Sequence, residues 1–220
     1  MKFGELSTTL LIAYQLLRIQ PFYRALALNN YTISDVIRNR RTVKPKLYGD
    51  EVFDESLINE ILENANWAPT HGMTEPWRFF VFTGSARKRL AEFLAATYKQ
   101  VTPPESFKPK KYEGMSVNAL LAQAVIVIGM KRQETEKISE LDEIMAVACA
   151  VQNMHLTAAS HGLGGFWSTN VAAVSNQMRD FVGLSEKDRA LGLFYLGIPK
   201  DGFPVCERGP IEEKTQWFRE

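Results

Sequence analysis

Two hydrophobic periods alternate along this chain. Leu57, Ile58, Ile61, Leu62 and Ala65 recur at helical spacing behind Asp54, a good N-capping residue. Helical spacing returns over 85–99, with Leu90, Phe93 and Leu94 inward, and over 141–161. Between these stand runs of strand formers: Arg78-Phe79-Phe80-Val81-Phe82, then 122–130 (AQAVIVIGM), 164–169 and 190–198. Thr32, Ser34 and Asp35 offer caps for a short helix that starts at Val36-Ile37 and ends in Arg38-Asn39-Arg40-Arg41-Thr42. A second short helix is expected over 175–181, stopped by Gly183. Gly162 stands where a helix-terminating glycine belongs, and Pro199 ends the last strand. Few strands, long helices and no regular strand–helix alternation predict an α+β fold, not a doubly wound sheet.

The centre of this pattern is the stretch 65–84, ANWAPTHGMTEPWRFFVFTG. A helix stops at Ala68-Pro69, a polar loop carries His71 and Met73, and Pro76-Trp77 opens a strand. A loop held between a helix and a buried strand can present a ligand-binding surface on fixed walls. Residues 100–117, with Pro103, Pro104, Pro109 and Gly114, read as a mobile connection in which Phe107 and Tyr112 would be lid aromatics. The tail from Lys200 on carries Pro204, Arg208-Gly209-Pro210 and Trp217-Phe218, anchors suited to crossing onto another subunit.

Composition narrows the choices. A chain of 220 residues, 45% apolar and 23% charged, has the make-up of a soluble domain with a sizeable core. A net charge of +1 offers no field of one sign for nucleic acid or an acidic membrane. Two cysteines make no disulfide framework; Cys149 reads as a small buried filler, and the usage fits a reducing, cytoplasmic setting. Residues 1–30 read as an added amphipathic helix docked on the core or on a partner, ahead of a main domain over 31–220. The apolar run at 6–17 is interrupted by Gln15, followed by Arg18 and closed by Pro21, so it is too short to span a bilayer. Contact with a membrane surface is the minor reading for this segment.

The chemistry-bearing residues are scattered. Arg40-Arg41-Thr42, with Lys44, places three cations and a hydroxyl at a helix end, a combination that suits phosphate oxygens. By residue type alone a solvated basic helix terminus explains them as well. His71 is either a cofactor contact or a loop histidine bonded to backbone, while Trp67 and Met73 are by residue type more often core than cofactor wall. Gly162-Leu163-Gly164-Gly165 follows a helix and enters a strand, the reverse of a dinucleotide fingerprint. The three histidines and two cysteines lack zinc-ligand spacing, and no nucleophile elbow or carboxylate couple stands out. A phosphate-like cluster beside a flat aromatic loop points to chemistry carried by a bound organic cofactor.

Taken in order, these stretches resemble the nitroreductase family of FMN-dependent oxidoreductases, most nearly its compact YdjA-like members. The resemblance is carried by Arg40-Arg41-Thr42, by Ala68-Pro69 followed by Pro76-Trp77, by the small-residue helix ending in Gly162-Leu163-Gly164-Gly165-Phe166-Trp167, and by Leu193-Phe194-Tyr195-Leu196-Gly197-Ile198-Pro199. It implies a mainly antiparallel sheet flanked by helices, in a homodimer with exchanged C-terminal tails and one FMN in each interfacial cleft. Arg40, Arg41 and Thr42 would hold the phosphate and ribityl end, with Arg208 reaching the phosphate late in the chain. Lys44 would lie near the pyrimidine edge, where a cation stabilises negative charge on the reduced ring. Trp67, His71 and Met73 would contact the cofactor, and Trp167, Ser168 and Thr169 would line its ring. No protein side chain is then required as catalyst, because hydride passes through flavin N5. NADH or NADPH would be the donor and a nitroaromatic, a quinone or a related small molecule the acceptor. Flavin storage, dehydrogenation and dehalogenation are the alternatives on the same fold. The chain departs from the family pattern at Glu75 (usually Gln), Thr42 (usually Ser) and Met73 (often Asn).

Overall fold

The computed structural model describes residues 32–219, so the helical extension expected over 1–30 lies outside the described residues. Helix α1 (Ile33–Asn39) begins at a reciprocal cap. Thr32 Oγ1 accepts from the Asp35 amide, and the Asp35 carboxylate accepts from the Thr32 amide at 2.9 Å. Helix α2 (Ser56–Asn66) buries Ile58, Ile61 and Ala65, the stripe read from the sequence. The N-cap is Glu55, one residue past the expected Asp54, whose Oδ1 instead accepts from Ser56 N at 2.8 Å just ahead of the helix. Strand β1 (Trp77–Phe82), helix α3 (Ala86–Val101), strand β2 (Ala124–Met130), helix α5 (Glu140–Ser160), strand β3 (Gly164–Ser168), helix α6 (Asn176–Phe181) and strand β4 (Arg189–Gly197) fall within a few residues of expectation. Gly162 closes α5 at φ 75°, a left-handed value that suits glycine.

The region 100–117 differs. Instead of a mobile connection it holds a 3-10 turn (Pro104–Ser106) and a helix, α4 (Pro109–Leu121). Pro109 sits in the first helical turn, where a missing N–H costs nothing and the fixed φ favours entry. Phe107 packs its ring 5.4 Å from Tyr98 and 5.8 Å from Tyr112, so these aromatics fasten α4 to α3 and are not a lid. Cys149 also departs from expectation and is exposed. The inward face of α5 is formed by Ala146, Val147, Ala150, Val151, Met154 and Ala158, which turns Cys149 outward.

Among the described residues the sheet has four strands in the order β1-β2-β4-β3, all antiparallel neighbours. Alternation along β2 divides the core. Val125 and Val127 join Leu90, Leu94, Met115 and Ala119 beneath α3 and α4. Ala124, Ile126, Ile128 and Met130 join Ile61, Ala150 and Met154 beneath α2 and α5. Both faces of β2 are therefore covered, which explains why it reads as an unbroken apolar run. No helix among the described residues is long and apolar enough to cross a membrane.

The segment after α1 closes the outer edge of β3. Val43 N donates to Gly165 O at 3.1 Å, and the buried Tyr48 hydroxyl lies 3.0 Å from Gly164 O and 3.1 Å from Tyr195 O. Burial holds the Tyr48 phenol well above its ordinary pKa, so it remains a donor at any working pH. We expect Tyr48→Phe to lower stability by about 2 kcal/mol, because buried carbonyls lose a donor and nothing replaces it. A urea unfolding midpoint unchanged from wild type would count against this role.

Candidate functional site

The first group of candidate residues is assembled on β3, an edge strand. Arg40 caps α1, the chain leaves extended, and Thr42 forms a parallel bridge to Gly165. Gly165 is glycine for lack of room: a Cβ there would sit 2.7 Å from the Phe194 ring and 3.2 Å from His155 Nδ1. His155, from α5, thus stands directly behind the strand that carries the Arg40–Thr42 segment. Burial lowers its pKa to about 3, and the charge of Arg40 acts in the same direction. The ring is therefore neutral, and its buried Nδ1 has no hydrogen-bond partner among the described residues.

Arg41 is half-buried and works on backbone. Its guanidinium donates to Arg38 O at 2.6 Å, to Arg40 O at 2.9 Å and to Cys206 O at 3.3 Å. Its Nε is buried without a partner among the described residues. The Cys206 contact brings the tail to this corner, and Arg208 follows two residues later, donating to Glu207 O at 3.1 Å. Thr42 and Lys44 are both exposed, and Lys44 precedes the 3-10 turn Pro45–Leu47. Three cationic residues and a hydroxyl thus follow one another along one edge of the sheet, with Arg208 two residues beyond the Cys206 contact, a setting fit for an oxyanion.

Further along β3, Trp167 is half-buried and donates Nε1 to Leu191 O at 3.1 Å. The indole lies against Gly192, where φ is 132° and a Cβ would sit 2.6 Å from Nε1. Ser168 Oγ accepts from Asn170 Nδ2 at 3.2 Å, and Thr169 is exposed. The Trp167 N–H is therefore occupied within the fold, and the indole can offer a ligand only its ring.

The second group sits at β1, the opposite edge of the sheet. A 3-10 turn spans His71–Met73, and three residues here have left-handed φ: Gly72 (62°), Met73 (54°) and Glu75 (43°). For Met73 and Glu75 this conformation costs on the order of 1 kcal/mol each. Thr70 Oγ1 accepts from Glu75 N at 3.3 Å, and the buried Trp77 donates Nε1 to Asn66 Oδ1 at 2.9 Å, so both ends of the loop are tied. His71 Nδ1 lies 3.4 Å from Asp142 Oδ2, in the first turn of α5. The Ser139 hydroxyl, and next His71, hold the Asp142 carboxyl below its usual range. Trp67 and Met73 are 79% and 76% exposed, the reverse of core residues.

Within one chain Arg40, Arg41, Thr42 and Lys44 thus follow one another along the outer edge of β3, with Trp167 and Ser168 on that strand, Thr169 just past its end, and Arg208 two residues beyond the Cys206 that Arg41 holds. It leaves Trp67, His71 and Met73 across the sheet. A depression of about 360 Å³ between α2 and β1, lined by Glu55, Ile58, Asn59, Leu62 and Val81 among others, contains none of these residues. Sequence reasoning passed over His155. Its inward position four residues after Val151 was readable, but its contact with Gly165 exists only in the fold.

The chain resembles known proteins throughout this architecture. A model described as "Nitroreductase family" matches residues 37–198. YdjA of Escherichia coli K12, which carries NAD(P)H nitroreductase in its name, is 29% identical over 166 residues, spanning 76% of this chain and 87% of that protein. The crystal structure of a nitroreductase-like family protein from Bacillus cereus superposes with a TM-score of 0.76 at 26% identity, covering 87% of this chain and 98% of its own. A protein from Desulfovibrio desulfuricans, solved in complex with FMN, shares the fold at a TM-score of 0.65 and 23% identity, with 87% and 99% covered.

The neutral, buried His155 carries a consequence for acid stability. Its folded pKa of about 3 lies below the unfolded value near 6.5, so between these values the unfolded chain binds more protons. Stability therefore falls as pH drops through that window, with a slope from this residue approaching about 1.4 kcal/mol per pH unit. His155→Gln should flatten the curve by that amount between pH ~6 and ~4 and leave the slope above pH ~7 unchanged. Urea titrations at a series of pH values measure it, and parallel curves for the two proteins would contradict a neutral buried imidazole.

Proposed function

The chain belongs to the nitroreductase family, and from that premise we propose that it is an FMN-dependent NAD(P)H oxidoreductase, working as a homodimer on small acceptors such as nitroaromatics or quinones. One observation carries the reading. Of the three buried side-chain polar atoms without a partner among the described residues, two, Arg41 Nε and His155 Nδ1, lie at the corner where Arg40, Thr42 and the tail converge. Leaving a cationic donor buried and unmatched costs more than an ordinary missing hydrogen bond, and an anion restores it. The phosphate of FMN fits such a corner, so the residues present suit the cofactor.

Arg40, Thr42 and Arg208 would grip the phosphate, with Arg41 Nε facing the same charge. Lys44, close behind in sequence, would supply positive charge at the polar edge of the ring. Trp167 would give the ring a flat wall, since its N–H is already engaged by Leu191 O. FMN, when bound, would take a hydride from NADH or NADPH and deliver it to the acceptor in a second half-reaction. The protein's share is to orient the donor and acceptor in turn over the same surface and to shield it from bulk water.

The separation of the two residue groups supports a dimer. The loop bearing His71 and Met73 faces outward, and exposed Leu141 and Met145 on α5 lie on the same side as the exposed Cys149. A second copy set against this face would cover that apolar surface and carry Trp67, His71 and Met73 toward its neighbour's arginine corner. The tail, with Trp217 75% and Phe218 87% exposed, has the anchors to cross onto that copy. A cytoplasmic setting supplies the NAD(P)H this reaction needs.

Purified protein should be yellow, bleach anaerobically with NADH or NADPH, and regain colour with a nitroaromatic or quinone. Arg40→Ala should weaken FMN binding by about tenfold to a hundredfold through loss of a charge-assisted contact. FMN retained but never bleached by either nicotinamide would point instead to a flavin-holding protein. A colourless sample that cannot be reconstituted would end the reading.

A further inference from the structure

Arg41 spends its guanidinium on backbone carbonyls from two distant parts of the chain. Arg38 O and Arg40 O belong to the end of α1, where helix carbonyls lack helical partners and the dipole favours a cation. Cys206 O lies 165 positions further along, in a tail whose residues are otherwise largely exposed. The planar fork of arginine offers five donors in fixed directions, so one side chain can serve both segments at once. From this geometry we propose that Arg41 is a positioning residue, a latch that fixes the tail at Cys206 so that Arg208 is presented to the Arg40–Thr42 corner.

The role assigned to Arg208 rests on the FMN reading; the latch itself stands on the fold. It gives adjacent arginines different work. Arg40 meets the ligand directly, whereas Arg41 acts mainly through another residue. It also makes the phosphate grip depend on where the tail lies. Lysine keeps the charge at this position but lacks the fork, so it should serve the latch poorly.

Two measurements on the full-length protein separate the latch from the cofactor reading. In the first, a glutamate-specific protease probes the bond after Glu207. Arg41→Ala and Arg41→Lys should both be cut there several-fold faster than wild type, while the urea midpoint shows that the domain stays folded; unchanged cutting in both variants overturns the latch. In the second, FMN affinity is measured in a double-mutant cycle. Arg208→Ala should cost about tenfold in wild type but less than about threefold in the Arg41→Ala background, because an unlatched tail no longer presents its arginine. Equal losses in the two backgrounds overturn the proposed coupling. Should no form bind FMN, the cofactor reading fails, and the cleavage result still decides the latch.

Discussion

The structure depends on how the segment 41–48 is hooked onto the outer edge of β3. Backbone pairing of Val43 with Gly165 and the two carbonyls facing the Tyr48 hydroxyl form the hook. Space for it is made by missing side chains. A Cβ on Gly164 would stand 2.8 Å from Val43 Cβ, and one on Gly197 would stand 2.4 Å from the Tyr48 ring. The glycines beside β3 are thus steric requirements of the fold and owe nothing to a phosphate-binding turn. Because the hook starts at the residue after Thr42, it also fixes the arginines. The same few contacts that close the sheet edge build the cationic corner.

Legibility in the sequence followed the range of the interaction concerned. Strands and helices with strong local patterns were readable: the unbroken apolar run of β2, the stripe of α2, the Gly162 stop. The helix α4 was hidden because its punctuation is ambiguous. Pro109 breaks a helix from within but starts one from its first turn, and Phe107 binds only once Tyr98 is in place. Arg40, Arg41, Thr42 and Lys44 were recognisable as a cationic cluster at a helix end. That Arg41 would turn to backbone carbonyls was not, since residue type gives charge but not direction. Cys149 left its expected place for the same reason: which side of a helix faces in is set by its neighbours across the sheet.

The corner also shows how burial and a neighbouring charge together hold a histidine neutral. Arg40 stands close enough to His155 for its field to oppose imidazole protonation, and burial adds the larger part. A neutral ring there avoids a further positive charge inside the fold. Positive charge at the corner is therefore carried by groups at the rim, where solvent softens their mutual repulsion.

At the opposite edge of the sheet the site loop is strained, and something must hold it. Gly72 abuts Ile138, whose Cδ1 would be 3.2 Å from a Cβ at that position. Ile138 O in turn accepts from Arg132 at 2.9 Å, and Arg132 pairs with Glu143, whose side chain is fully buried. Gln133 N donates to the same carboxylate at 3.2 Å, and Asp188 accepts from Arg132 N at 2.8 Å. A buried ion pair adds little net stability over apolar packing, because desolvation offsets its attraction. Its value lies in direction: several donors meet a few carboxylate oxygens in one arrangement. That arrangement seats residues 132–138, which brace Gly72, and Gly72 and Met73 hold their left-handed geometry beside His71. Positional definition is thus bought with buried charge, and it reaches the exposed 3-10 turn His71–Met73.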